Sequence, residues 1–170
     1  MNNFLKSIMA IALAAFVFTG CVDDPCDSIE CGVNGNPIES ADGSSCSCEC
    51  INGFEGTTCD VLATGKFIGN WDALDMCSSE NFAYDATINP LATDQTKVQV
   101  TNFGGFGELL SWSTVISGDT ISIPLSDVQG LLAEGMGIMS TDGNTINWEY
   151  TVTDATGGED SCSGVWTKVQ

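Results

Sequence analysis

Cysteine is the residue type in this chain with the widest range of available chemistry. A thiol can form a disulfide, bind a metal as a thiolate or carry a covalent lipid. The 170 residues contain nine cysteines, which are Cys21, Cys26, Cys31, Cys46, Cys48, Cys50, Cys59, Cys77 and Cys162. An odd number in an exported chain indicates that one cysteine has a role outside the disulfides.

The residue types that are missing exclude several other chemistries. The sequence has no histidine, so no Ser-His or Cys-His nucleophile pair can be assembled. It has no arginine, so no side chain can clamp a phosphate or carboxylate in two places. A pair of carboxylates could still act as acid and base, but the 23 acidic residues are more simply interpreted as a solvated surface. We therefore expect no enzymatic activity, no cofactor and no metal.

The charge balance limits the partners. The formal net charge is −19, and removal of an N-terminal leader that contains Lys6 leaves 3 lysines against 23 acidic residues, or −20. Such a surface repels phosphate backbones, so we expect no nucleic-acid partner.

The first 20 residues have the pattern of a secretory signal peptide. Lys6 supplies the positive charge, and residues 8–18 form an apolar run. This run is shorter than the 20 or so residues that a membrane span needs. A buried helix would be the alternative, but a helix that is apolar on every side needs a protein interior around it.

The end of the leader resembles a known processing site. The tetrad Phe18-Thr19-Gly20-Cys21 resembles the lipobox of bacterial lipoproteins. The resemblance implies that Cys21 receives diacylglycerol and palmitate-type acyl chains and becomes the mature N-terminus, which anchors the chain to a membrane. Asp23 and Asp24 resemble the acidic export tag of Bacteroidota-type lipoproteins, which implies the outer face of the outer membrane. Residues 21–25 would then form the lipidated anchor and an acidic tether.

The eight remaining cysteines point to disulfides. An export leader implies an oxidising compartment, and the lack of histidine disfavours zinc. Six of the eight lie within residues 26–59, and six cysteines allow 15 connectivities, which the residues alone do not resolve.

The clustered cysteines end on a motif that resembles an EGF-like module. Cys48 and Cys50 form a C-x-C pair, and residues 50–59 fit C-x-x-G-F-x-G-x-x-C. The resemblance covers residues 26–60 and implies the pairs Cys26–Cys46, Cys31–Cys48 and Cys50–Cys59. Such a module cannot bury enough surface to fold without its bridges. Its role would be that of a stiff spacer near the membrane or of a site for partner recognition.

Residues 64–170 have the pattern of an antiparallel β-domain. Phe82, Tyr84, Ala86 and Ile88 alternate with polar residues, and so do Ile146, Trp148, Tyr150 and Val152. Strands are predicted over residues 66–71, 82–88, 96–102, 108–116, 120–124, 137–140, 146–152 and 161–169. Hairpin turns are predicted at residues 117–119 and 142–144, and a short turn or helix at residues 126–134.

Eight strands fit either an up-and-down barrel or a two-sheet sandwich, and closure favours the barrel because it removes exposed edges. Gly69-Asn70-Trp71 in the first strand resembles the G-x-W motif of lipocalin-like (calycin) barrels. The resemblance implies that Trp71 plugs one end of the barrel and stacks under a basic side chain from the last strand, for which Lys168 is the candidate. The alternative is that Trp71 is simply a core aromatic residue.

The last two cysteines are paired by elimination. Cys77 follows the first strand of the β-domain and Cys162 begins the last one, and these strands are neighbours in an up-and-down barrel. A bridge would close a loop of about 85 residues and stabilise the fold by roughly 3–5 kcal/mol.

Two functions remain open. The chain could be a surface lipoprotein that displays a β-domain on an EGF-like spacer, for a structural role or for a protein or glycan partner. It could also be a lipocalin-like carrier of a small apolar ligand. Aromatic and methionine side chains could form a filled core or line a pocket, namely Trp112, Trp148, Tyr84, Phe82, Phe103, Phe106, Met136 and Met139. A void of several hundred Å³ at one barrel end would favour the carrier.

Overall fold

The computed structural model describes residues 24–170 of the chain. The signal peptide and the acylation at Cys21 that the sequence predicts fall outside the described residues. The described part contains thirteen strands and two 3₁₀ turns, and neither turn approaches the length of a helix that could cross a membrane. The strands are β1 (Gly35–Glu39), β2 (Cys46–Cys50), β3 (Phe54–Glu55), β4 (Val61–Leu62), β5 (Gly69–Cys77), β6 (Asn81–Leu91), β7 (Asp94–Thr101), β8 (Ser111–Ser113), β9 (Val115–Ser117), β10 (Thr120–Val128), β11 (Leu131–Met139), β12 (Thr145–Thr153) and β13 (Glu159–Lys168); the 3₁₀ turns are Ala63–Lys66 and Phe103–Gly105.

The first four strands form a small disulfide-rich module. β1 pairs with β2, and β3 pairs with β4, in two separate antiparallel hairpins. Three disulfides hold them together, Cys26–Cys46, Cys31–Cys48 and Cys50–Cys59. Cys31 and Cys59 are the module's fully buried apolar side chains in residues 24–62, so cystine sulfur takes the place of a hydrophobic core.

The other nine strands form a single antiparallel, barrel-like sheet in the order β8-β7-β6-β5-β13-β12-β11-β10-β9. Its two edge strands, β8 and β9, are consecutive in the chain and are separated by Thr114 alone. The Thr114 N–H donates to the Val98 carbonyl at 3.0 Å as the segment passes from β7 to β10. One continuous segment therefore serves both edges, and the nearly closed barrel has eight strand positions, as predicted. A two-sheet sandwich does not fit this strand order.

Three predicted segments differ from the structure. Residues 108–116 were expected to be one strand, but residues 108–110 are not in a strand, and the remainder divides into β8 and β9 at Thr114. Residues 66–71 were expected to be a strand, but Ala63–Lys66 is a 3₁₀ turn and β5 begins only at Gly69. Residues 126–134 were expected to form a short turn or helix. They are instead the ends of β10 and β11 around a tight turn in which Gln129 and Gly130 both have positive φ, 56° and 87°. That geometry is a type I′ hairpin, and Gln-Gly lacks the usual Asn-Gly or Asp-Gly signature.

The core consists of the side chains that alternate onto the inner face of each strand. Each strand turns one set of side chains inward, and on β12 these are Ile146, Trp148, Tyr150 and Val152, all buried. β11 places glycines on the same inner face. A Cβ at Gly137 would come within 3 Å of Ile146, Trp148 and Ile121, so this position has room for hydrogen only. The small residues of β11 thus make space for the large rings of β12.

Candidate functional site

One end of the barrel is closed by Trp71 and Lys168. Trp71 is fully buried, and its Nε1 donates to the Phe67 carbonyl at 2.9 Å. Lys168 lies opposite Trp71 in the β5–β13 pair, and its Nζ is 5.4 Å from the centroid of the indole ring. Nζ also donates to the Lys66 carbonyl at 2.8 Å, so the ammonium group is held over the ring. Lys168 therefore lies over the Trp71 ring, which is the arrangement that the resemblance to lipocalin-like barrels implied.

The disulfide-rich module is attached to this same end. The Gly53 N–H donates to the Ile116 carbonyl at 2.7 Å, and the Gly53 carbonyl accepts from the Ala63 N–H at 2.9 Å. Lys66 Nζ forms ion pairs with Glu55 of the module at 2.5 Å and with Asp119 of the barrel at 2.7 Å. Burial acts to lower the pKa of Lys66, but the two carboxylates more than offset it and raise the pKa above its ordinary value. The module and the barrel are thus joined by fixed polar contacts.

The barrel interior is filled by aromatic rings. Trp71, Trp112, Trp148 and Trp166 are all at most 1 % exposed. Phe103 enters from the β7–β8 connection, is fully buried, and lies between 4.5 and 6.0 Å, centroid to centroid, from four rings, those of Trp112, Trp148, Tyr150 and Trp166. Large rings in mutual contact leave no room for a ligand of ordinary size at the centre.

A carboxyl group lies within this aromatic interior. Asp75 is fully buried, and its Oδ2 accepts hydrogen bonds from the hydroxyls of Tyr84 and Tyr150, each at 2.5 Å. Its Oδ1 accepts from Trp166 Nε1 at 3.1 Å. Gly164 lies directly against the carboxylate, where a Cβ would overlap Oδ1. Three neutral donors therefore satisfy the carboxyl group, and no salt bridge in residues 24–170 includes it.

The two tyrosines act as permanent donors. Burial raises the pKa of Tyr84, and electrostatic interactions with Tyr150 and Asp75 raise it further; burial and Asp75 also raise the pKa of Tyr150. Both hydroxyls therefore stay protonated at physiological pH. The Tyr84 hydroxyl in turn accepts from the Gly104 N–H at 2.9 Å. Asp75 is fully buried and both of its carboxyl oxygens accept hydrogen bonds from these neighbours, so the cluster organises the interior and fastens the β7–β8 connection.

The sequence prediction missed Asp75, which was counted among the solvated acidic residues. The signal that could have found it is the alternation of β5, in which Trp71, Ala73 and Asp75 share the inward face. An acidic residue in phase with a buried tryptophan indicates a buried polar cluster.

The opposite end of the barrel has a small pocket. Its volume is about 180 Å³, and its walls include Phe82, Phe106, Val152 and the Cys77–Cys162 disulfide. The glycine-rich connection from Gly104 to Gly107 covers one side; Phe106 is partly exposed and Leu109 is 92 % exposed. Of the eight side chains expected in the core or a pocket, Met136 lies on the outer face and is half-exposed.

All eight cysteines of the described part are paired. The fourth bridge is Cys77–Cys162, which joins directly opposed residues of β5 and β13. These four pairs are the ones that the EGF-like resemblance and elimination implied. Asp160 lies near both sulfurs of the fourth bridge, but sulfurs joined in a disulfide are not thiolate ligands for a metal.

Comparisons with known proteins identify no family. No protein family model and no curated protein matches the chain. Among solved structures, the chain is similar to a structural-genomics protein of unknown function from Bacteroides ovatus, with 10 % sequence identity and a TM-score of 0.39. The match covers 59 % of this chain and 41 % of that protein, so the chain spans less than half of its length. This likeness supports no statement about function.

Proposed function

We propose that the chain is a lipoprotein of the outer cell surface that displays a β-barrel on a disulfide-rich, EGF-like spacer, with a structural or binding role and no enzymatic activity. Lipid on Cys21 would hold the N-terminus at the outer membrane, and the acidic tether would lead into the module. The module's contacts through Lys66 and Gly53 would hold the barrel in a fixed orientation above the membrane.

The observation that carries this choice is the filled barrel interior. Four fully buried tryptophans and the inserted Phe103 occupy the space in which a carrier would hold its cargo. Recognition is then left to the outer surface and the connections between strands.

The cysteine pairing supports the anchor. Eight cysteines form four bridges among themselves, so none of them needs Cys21 as a partner. The remaining thiol of the nine in the sequence is the one at the lipobox-like tetrad. Acyl chains contribute about 0.8 kcal/mol for each buried methylene, and two or three chains give stable anchoring.

A carrier of a small apolar ligand is the second candidate, and the 180 Å³ pocket favours it. The pocket is smaller than the 300 Å³ or more of most ligand sites, so such a ligand would be of about the size of indole. Saturable binding of indole that is lost in Val152→Trp would favour the carrier.

Metabolic labelling tests the proposed anchor. Cells that produce the wild-type chain or Cys21→Ser receive an alkyne-tagged fatty acid, and label on the chain is measured. We expect label on the wild type, none on the variant, and release of the variant from the membrane fraction. Label retained by Cys21→Ser, or absent from both, would refute the anchor. Ser47→Ala, a neutral change in the module, serves as the control that keeps the label.

A further inference from the structure

The outer surface of the barrel carries two exposed apolar clusters. The first, on β5 and β13, consists of Leu74, Met76 and Val165; the second, on β10 and β11, consists of Leu125, Met136 and Ile138. Each of these side chains is between 42 and 62 % exposed. Large apolar side chains that gather on one outer face of a sheet mark a site of interaction more often than a plain solvated surface.

A polar strip on β12 separates the two clusters. The strand register places Leu74, Val165, Asn147 and Ile138 in one row across the sheet, and Met76, Ser163, Glu149 and Met136 in the next. Neighbouring strands are about 4.8 Å apart, so the first and last residues of a row are about 14 Å apart. Each row therefore has an apolar side chain at both ends and at least one polar side chain between them.

A shallow, open groove of about 830 Å³ lies over part of this face. Met76, Leu125, Met136, Glu134 and Glu149 are among its lining residues. A register shift between Ile123 and Ser126 leaves Leu125 unpaired, at one wall of the groove. A shallow groove whose lining includes Met76, Leu125 and Met136 can receive an extended segment.

The groove has negative charge and no cation of its own. Glu134 and Glu149 are exposed, and neither forms an ion pair in the described residues. The three lysines in residues 24–170 lie elsewhere: Lys66 pairs with Glu55 and Asp119, Lys97 with Asp94, and Lys168 lies over Trp71. A second copy of this chain, with a net charge of −19, would bring further negative charge to this face. Charge complementarity therefore selects a positively charged occupant.

We propose that this groove docks an extended segment of another protein, in which a lysine or arginine is flanked two residues away on each side by an apolar side chain. In an extended chain, residues four apart lie about 13–14 Å apart on one face, which matches the separation of the two clusters. The basic side chain then lies over Glu149, and the apolar side chains contact Met76 and Met136. The inference rests on the proposed function for the presence of a partner at the cell surface.

An NMR titration with a defined peptide tests this docking site. The probe is the end-capped peptide Leu-Thr-Lys-Thr-Leu, added at low salt to the isotope-labelled full-length chain with its disulfides formed. We expect amide shifts on β5, β11, β12 and β13, and an affinity about five- to tenfold lower for Glu149→Gln or Met136→Ser. Both positions are exposed, so neither variant should unfold.

Matched controls separate a specific site from general attraction to an acidic surface. The peptide Leu-Thr-Glu-Thr-Leu should not bind, and Glu108→Gln, at an exposed glutamate of the β7–β8 connection, should bind as the wild type does. Shifts spread over the whole surface, equal loss in Glu108→Gln, no binding, or self-association through the same strands would each overturn the inference. Failure here would leave the Cys21 labelling result unchanged, so the two proposals can fail separately.

Discussion

Asp75 is the residue whose surroundings most constrain the barrel interior. Its carboxyl group connects β5 to Tyr84 on β6, Tyr150 on β12 and Trp166 on β13, so one group joins four strands. Removing such a group leaves its buried hydrogen-bond donors without an acceptor, and this loss of partners is the main cost to the free energy of unfolding.

Replacing Asp75 should destabilise the barrel. In Asp75→Asn an amide N–H₂ takes the place of an acceptor, and we expect a loss of about 3 kcal/mol in the free energy of unfolding, measured by urea denaturation. Asp72→Asn, on the exposed face of the same strand, is the control and should change stability by less than about 0.5 kcal/mol. Equal effects of the two changes would show that burial of Asp75 does not matter.

Asp142 should make part of the stability dependent on pH. Hydrogen bonds from the Ser140 hydroxyl and the Asn144 N–H lower the pKa of Asp142 below its ordinary value of 3.8. A carboxyl group whose pKa is lower in the folded than in the unfolded state stabilises the fold above about pH 4. That stabilisation is lost as the pH falls through the pKa of the folded state.

Comparison of the wild type with Asp142→Ala isolates this contribution from the general effect of neutralising an acidic surface. The urea midpoint of the wild type should exceed that of the variant at pH 7, and the gap should narrow as the pH is lowered from 7 to below 4. A gap that stays constant over this range would contradict the assignment of the pKa shift.

The sequence predicts residue roles well where one residue type has few options. The resemblance to an EGF-like module implied the three pairs of the clustered cysteines, and elimination with strand order implied the fourth. The resemblance to lipocalin-like barrels implied the contact of Trp71 with Lys168. Asp75 was not predicted because an acidic residue in so acidic a chain gives no signal by its type; only its phase in the strand does.

The Cys77–Cys162 bridge joins the first and last strands of the barrel. In the order of the sheet, β5 and β13 are adjacent although 85 residues separate the two cysteines. The pairing of β5 with β13 joins the two barrel strands that lie farthest apart in the sequence. Closing a loop of this length without a covalent link costs conformational entropy.

Removing this bridge should lower stability without changing the fold. We expect Cys77→Ala with Cys162→Ala to lose roughly 3–5 kcal/mol in the free energy of unfolding while far-ultraviolet circular dichroism stays unchanged. The matched control is the wild-type chain under the same denaturant series with its disulfides intact. A loss below 1 kcal/mol would mean that strand pairing alone holds β5 beside β13.

Strand existence was predictable, and strand boundaries were not. The alternation of β6 and β12 identifies both strands, because one face of each contacts the core. Residues 126–134, at the tip of the β10–β11 hairpin, were expected to be a turn or helix, because the register shift between Ile123 and Ser126 and the Gln129-Gly130 turn obscure the period of two.

Lys66 connects the two parts of the molecule. It is the described residue whose ion pairs reach both the module, through Glu55, and the barrel, through Asp119. The expectation of a stiff spacer depends on such contacts, because linkage by chain alone would leave the orientation free.

Lys66→Met should loosen this junction. We expect faster hydrogen exchange at the Gly53 amide, which bonds to the Ile116 carbonyl, and a loss of about 1–2 kcal/mol in stability. Lys97→Met, which removes an exposed pair with Asp94, is the control and should leave that amide protected. Unchanged exchange in Lys66→Met would indicate that the backbone contacts suffice.

The most direct test of the whole account is the intact mass of the mature chain extracted from the membranes of cells that produce it. We predict a chain that begins at Cys21, carries the added mass of its acyl chains, and has eight cysteines that react with an alkylating reagent only after reduction. A chain without lipid mass whose cysteines react before reduction would contradict both the anchor and the disulfide-built architecture.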